Sequence, residues 1–127
     1  MSMNENKVWH SSANTPSMEG NVQYHIRCKD GDIEKYCLLP GDPARVPLIA
    51  EGWDESRPVA NYREHMTYSG QIGGVKLSCC STGAGGGSLS SALEELIRLG
   101  ADTLIRVGTC GAIQPEIECG DVIIHSG

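Results

Sequence analysis

The 127-residue chain has no basic block: 10 Lys and Arg stand against 16 Asp and Glu, for a net charge of −6. Binding nucleic acid or an anionic membrane takes clustered cations. Both partner classes are therefore disfavoured, while a small anion held by a few placed arginines is not. No Cys-x-x-Cys pair occurs among Cys28, Cys37, Cys79, Cys80, Cys110 and Cys119. That argues against zinc and for small buried fillers with free thiols. No apolar stretch approaches the ~20 residues of a membrane-spanning helix. The first twenty residues lack an apolar signal region and an arginine-rich amphipathic pattern, so they read as a flexible leader. A reducing, cytoplasmic setting is the expectation.

What is abundant is glycine, 16 residues, which suits tight turns and close approach of backbone to a ligand. "KYCLL" (35–39) reads as a buried strand closed by Pro40-Gly41, and Val46–Trp53 as a short helix. Val59–Arg63 reads as a strand. Apolar residues alternate around "GQIGG" (70–74), where Gly73-Gly74 suits a hairpin turn. After "STGAGGGS" (81–88), Leu89, Ala92, Leu93, Leu96 and Ile97 share one helical face. Ser88 is the expected N-cap and Gly100 the expected terminator. "TLIRV" (103–107) and "VIIH" (122–125) read as strands buried on both faces. With one long and one short helix to cover them, the sheet reads as the front part of a larger α/β domain, or as one that something else completes.

Three features could hold an anion. In "GDPAR", Gly41 frees a backbone N–H at a strand end and Arg45 follows from the start of a helix. A surface arginine after a turn is the plainer reading. "STGAGGGS" exposes consecutive N–H groups before a helix, though it fits neither the P-loop nor the dinucleotide fingerprint. It also serves as a tight strand-to-helix connection. In "IRVGTCG", Arg106 sits in an apolar strand, followed by Gly108, Thr109 and Gly111. A buried cation needs a partner, either an anionic ligand at the strand end or an acid such as Asp42 or Glu94. Glu95 is a further candidate to pair with Arg106. Asp42 itself is read as orienting an arginine or capping the turn.

"LLPGDPARV", "YREHMTYSG", "CSTGAGGGSLSSALEELIRLGADTLIRVGTCGAI" and "IECGDVII" together resemble the front half of the nucleoside phosphorylase family, from about His25 onward, and its uridine branch more than its purine branch. The resemblance implies a mixed β-sheet flanked by helices, incomplete in this chain. Residues 1–20 would be the leader and 21–127 the N-terminal part of a phosphorylase domain. It implies phosphorolysis of a nucleoside, most of all uridine, to free base and α-ribose 1-phosphate, in a homodimer or dimer-based oligomer. Phosphate is then a co-substrate, and no cofactor is required.

On that resemblance Gly41, Arg45, Arg63, Arg106 and Thr109 bind phosphate, with Arg45 and Arg106 catalytic. Arg63 enters the neighbouring subunit's site. His25, also from across the interface, and Thr109 meet the nucleoside. Glu64, the backbone of Ala84, and Ser88 match positions that hold an interface cation in some members. The family's base-recognition residues have no counterparts up to Gly127. A catalytically silent subunit that completes a partner's site is one alternative. A purine nucleoside phosphorylase or a nucleosidase is another. His10, His65 and His125 match no family role.

Overall fold

The computed structural model describes residues 11–126. His10 and the first half of the expected leader lie outside them. Strands β1 (Ser17–Met18) and β2 (Val22–Gln23) form a small antiparallel ladder. Then follow β3 (Tyr36–Pro40), α1 (Arg45–Ala50), β4 (Glu55–Tyr62), β5 (His65–Ile72), β6 (Val75–Cys80), α2 (Gly86–Arg98) and β7 (Thr103–Val107). The last five strands make one sheet in the order β4-β5-β6-β3-β7. β4, β5 and β6 run antiparallel, whereas β3 runs parallel to both β6 and β7. The architecture is the expected mixed sheet flanked by helices. The carboxyl ends of β3, β6 and β7 consequently lie side by side, and the loops that follow them meet there.

Local chemistry sets the elements. Gly73 and Gly74, at φ of +56° and +78°, close a two-residue turn in which Ile72 faces Val75. Positive φ at both central residues is what a type I′ hairpin turn requires. Helix α2 ends in a Schellman motif: the Ala101 N–H donates to the Leu96 carbonyl at 3.1 Å and the Gly100 N–H to the Ile97 carbonyl at 3.0 Å. β4 begins at Glu55 rather than Val59 and carries a register shift between Pro58 and Ala60. It is an edge strand, where proline's missing N–H leaves no ladder bond unmade.

Two layers cover the sheet. Ala92, Leu96 and Leu99 of the α2 segment pack with Ile26, Cys37, Leu39 and Cys80 on one face. On the other face Leu77 and Cys79 are buried, as alternation along β6 requires, and Val46 and Ala50 of α1 are the buried residues of the helix that meets β5 and β6. Unusually for a core, the buried positions of β5 are His65, Thr67 and Ser69. Each is satisfied: His65 Nδ1 donates to the Ser81 carbonyl at 2.9 Å, the Thr67 hydroxyl to Cys80 Sγ at 3.3 Å, and the Ser69 hydroxyl lies 2.6 Å from the Asp32 carbonyl.

Some expectations fail, each for a tertiary reason. α1 spans Arg45–Ala50, shorter than expected, and a turn follows it. The cap of α2 is Gly85, and Ser88 lies inside the first turn with its hydroxyl directed to other partners. Ile97 is 54 % exposed, and Glu95 takes the inward place instead. "VIIH" forms no strand: Val122 and Ile124 are exposed, and residues 108–126 run as bends, turns and irregular chain. β7 is therefore an edge strand, with Ile105 and Val107 exposed rather than covered on both faces. A strand reads as doubly buried only where neighbours exist on both sides, and no ladder reaches the free edge of β7 among the described residues.

Candidate functional site

Two loops build the floor of the site. After β3, Asp42 Oδ1 accepts the Ala44 N–H at 2.9 Å and the Asp42 carbonyl accepts the Arg45 N–H at 3.1 Å. Asp42 thus caps the turn, which fixes where α1 and Arg45 begin. After β6, the Thr82 N–H donates to the Pro40 carbonyl and the Gly83 N–H to the Gly41 carbonyl, both at 2.9 Å. These bonds continue the β3–β6 pairing past the end of the sheet. They hold "PGD" and "STG" together. A side chain at either glycine would crowd the crossing, most of all at Gly83. A Cβ on Gly41 would lie 3.2 Å from Arg106 Nη2, and one on Gly83 would lie 2.7 Å from both Glu64 Cγ and Ser88 Oγ.

Arg106 reaches this floor from β7. Its register partner is Leu39, and its Nη1 donates to the Leu39 carbonyl at 2.8 Å. It is exposed at the sheet edge, not embedded as expected, and makes no ion pair with an acid among the described residues. Glu94 pairs instead with Arg98, at 3.8 Å, and Glu95 with His25. Arg106, Arg45, Thr109, Gly41, Asp42 and the Gly83–Gly85 loop line one open cleft of about 500 Å³. Helix α2 starts at its rim with no side-chain cap, so its first amides are open to a ligand. Two guanidinium groups, free amides and a helix start around one concavity suit a tetrahedral oxyanion.

The remaining expected site residues lie elsewhere. Arg63 follows β4 at φ +55°, exposed, with its guanidinium 5.2 Å from the Tyr62 ring. Arg27 sits over the same ring at 4.1 Å, and its hydrogen bond, with the nearby Arg63 charge, holds the Tyr62 phenol below its ordinary pKa. His25 borders a second, smaller cleft with Ser90, Ser91 and Arg98. Ala84 lines the main cleft, whereas Glu64 and Ser88 meet each other on the Cβ side of Gly83, with Ser88 Oγ 3.1 Å from Glu64 Oε1 and 2.5 Å from the Thr82 carbonyl. The Glu64 carboxyl is held below its usual range by its own backbone N–H and then by Ser88. These groups satisfy one another, and no cluster of three or more His, Cys, Asp or Glu suited to a metal occurs among the described residues.

Sequence reasoning missed the role of Glu95. Its carboxylate is buried and accepts the backbone N–H groups of His25 and Ile26. The signal was present: Glu95 lies three residues after Ala92, on the same helical face. Four of the six cysteines are the expected buried fillers, and two are not. Cys28, Cys37, Cys79 and Cys80 are buried and free, while Cys110 and Cys119 are exposed. Burial pushes Cys28, Cys79 and Cys80 up to about 12. No helix among the described residues is long and apolar enough to cross a membrane.

Known proteins resemble this chain in sequence and in fold. Residues 35–127 match the model of the Phosphorylase superfamily. The uridine phosphorylase of Thermococcus kodakarensis is 57 % identical over 113 residues, which is 89 % of this chain and 41 % of that protein. A crystal structure of uridine phosphorylase from Vibrio fischeri ES114 superposes with a TM-score of 0.74 at 37 % identity, over 76 % of this chain and 41 % of that one. The purine nucleoside phosphorylase of Toxoplasma gondii, solved in complex with immucillin-H, gives 0.73 at 36 % identity, over 75 % and 38 %. The chain spans about 41 % of the length of the curated uridine phosphorylase that it matches.

Proposed function

The chain belongs to the Phosphorylase superfamily, and from that membership we propose that it carries the phosphate-binding part of a site for nucleoside phosphorolysis, with uridine as the nucleoside. One observation carries the reading: Arg45, at the start of α1, and Arg106, on β7, line the same cleft as Gly41 and Gly83. Cleavage of the base–ribose bond passes through an oxocarbenium-like sugar. Phosphate attacks from the face opposite the departing base and yields α-ribose 1-phosphate. The arginines neutralise and orient the phosphate beside the developing cation, and Thr109 bonds its remaining oxygens and the sugar.

Arg63 and His25 lie outside this chain's own cleft, which favours their supply to the site of a second copy. A companion subunit that completes a partner's site draws on the same two residues. Mixing this chain with a full-length relative whose own Arg63 equivalent is replaced tests that role by restored turnover.

Titration with inorganic phosphate tests the main reading on the chain itself. Each charge-assisted contact is worth about 1.5–3 kcal/mol. Arg45→Ala and Arg106→Ala are each expected to weaken phosphate binding roughly 10- to 150-fold. Undiminished binding in the double variant contradicts the assignment. Release of base from uridine that does not require phosphate would move the reading to a nucleosidase.

A further inference from the structure

The second cleft contains an arrangement that the phosphate site does not use. Glu95, 1 % exposed, sits on the inward face of α2 and receives three donors from one short segment. The His25 N–H lies 3.0 Å from both carboxylate oxygens, and the Ile26 N–H lies 2.9 Å from Oε2. The third contact is the shortest: His25 Nδ1 to Oε1 at 2.7 Å. A carboxylate has no hydrogen to give, so Nδ1 is the protonated nitrogen, and in the neutral ring Nε2 carries the lone pair. The edge of the Tyr24 ring meets the imidazole at a centroid distance of 5.2 Å. Nε2 has no hydrogen-bond partner among the described residues, and the ring, about one-third exposed, borders the cleft with Ser90, Ser91 and Arg98.

We propose that Glu95 is a positioning residue for His25, holding the imidazole as its Nδ1–H tautomer so that Nε2 accepts a hydrogen bond from a ligand hydroxyl. Anchoring the chain at residues 25–26 needs only the two backbone bonds. The additional ring contact fixes the ring's plane and the polarity of its free nitrogen, as an acid partner does for a functional histidine. The identity of the hydroxyl rests on the phosphorolysis reading: it is the primary hydroxyl of the sugar bound by a second copy. Because α2 begins at the rim of the phosphate cleft and carries Glu95 further along its length, one helix borders both the phosphate floor and the histidine.

Nitrogen-15 NMR of histidine-labelled protein tests the tautomer directly. The wild type is expected to show His25 protonated at Nδ1, and Glu95→Gln to shift the population toward Nε2–H, while Glu94→Gln leaves it unchanged. Wild-type His25 protonated at Nε2, or an unchanged tautomer in a folded Glu95→Gln variant, overturns the proposal. If that variant does not fold, the wild-type spectrum alone decides. Phosphorolysis of uridine and 5′-deoxyuridine by this chain mixed with a full-length relative whose own His25 equivalent is replaced provides the second readout. Glu95→Gln is expected to reduce the preference for uridine about tenfold, the value of one hydrogen bond, with the KM for phosphate unchanged. A preference that survives intact counts against the proposal. Absence of any phosphate-dependent cleavage in that mixture with the wild-type chain would instead sink the phosphorolysis reading, and the NMR result would still judge the tautomer.

Discussion

Leu39 and Arg106 face each other across adjacent parallel strands, and the arginine folds back to donate to the leucine carbonyl at 2.8 Å. One N–H of the guanidinium is thereby tethered to the sheet. The rest of the fork hangs over Gly41, within 3.2 Å of where a Cβ would stand. The cation is held in place by main chain, with no acid paired to it among the described residues, and its charge stays available to a ligand.

Arg106→Lys keeps the charge but loses both the tether geometry and the planar fork. Phosphate affinity is expected to fall at least tenfold, with little change in unfolding midpoint because the side chain is exposed. Calorimetric titration at two salt concentrations, beside urea unfolding, checks both halves.

Gly41→Ala places a methyl group against Arg106 Nη2 and 3.5 Å from the Gly83 carbonyl. The end of an arginine side chain yields easily, so the fold is expected to survive. The displaced guanidinium should weaken phosphate about tenfold. Wild-type affinity in a folded Gly41→Ala variant would show that Arg106 does not need this position.

Gly83→Ala meets harder neighbours, Glu64 Cγ and Ser88 Oγ at 2.7 Å, and its φ of +70° strains any L side chain. A loss of about 2–3 kcal/mol is expected, read from urea denaturation. Replacing exposed Gly85 at the same loop clears its neighbours and should cost less.

Thiol chemistry gives a pH test. Ellman's reagent at neutral pH is expected to label Cys110 and Cys119 fast and the four buried cysteines only on unfolding. An unfolded thiol titrates near ~8.5, whereas Cys28, Cys79 and Cys80 hold their protons in the fold up to about 12. Burial raises Cys37 as well. Between those limits the native state binds more protons than the unfolded one, so stability falls as pH rises. It should be level with respect to these groups below pH ~8, and serine at Cys80 should flatten the alkaline decline in a denaturant series run from pH 8 to 11.

Much of this was legible in the residues. Gly73-Gly74, Gly100 and the two loops with Arg45 and Arg106 are read from short-range punctuation, because turns and strand ends depend on local φ and on missing side chains. What failed depended on distant neighbours. Arg106 looks buried only if a strand lies beyond β7, and Ile97 looks buried only until Glu95 finds three donors on a segment seventy residues away. Buried His65 likewise depends on the Ser81 carbonyl, sixteen residues along the chain. Such pairings leave no periodic trace.

The two amide-to-carbonyl bonds from Thr82 and Gly83 to Pro40 and Gly41 make the anion cradle an outgrowth of the sheet itself. Reshaping it would mean unzipping β3 from β6 at their shared end. Any adjustment on ligand entry is thus confined to the long side chains above. On the proposed reading, retuning this protein toward sulfate, arsenate or a bulkier ester is a task for positions 45, 106 and 109 rather than for the two loops tied together beneath them.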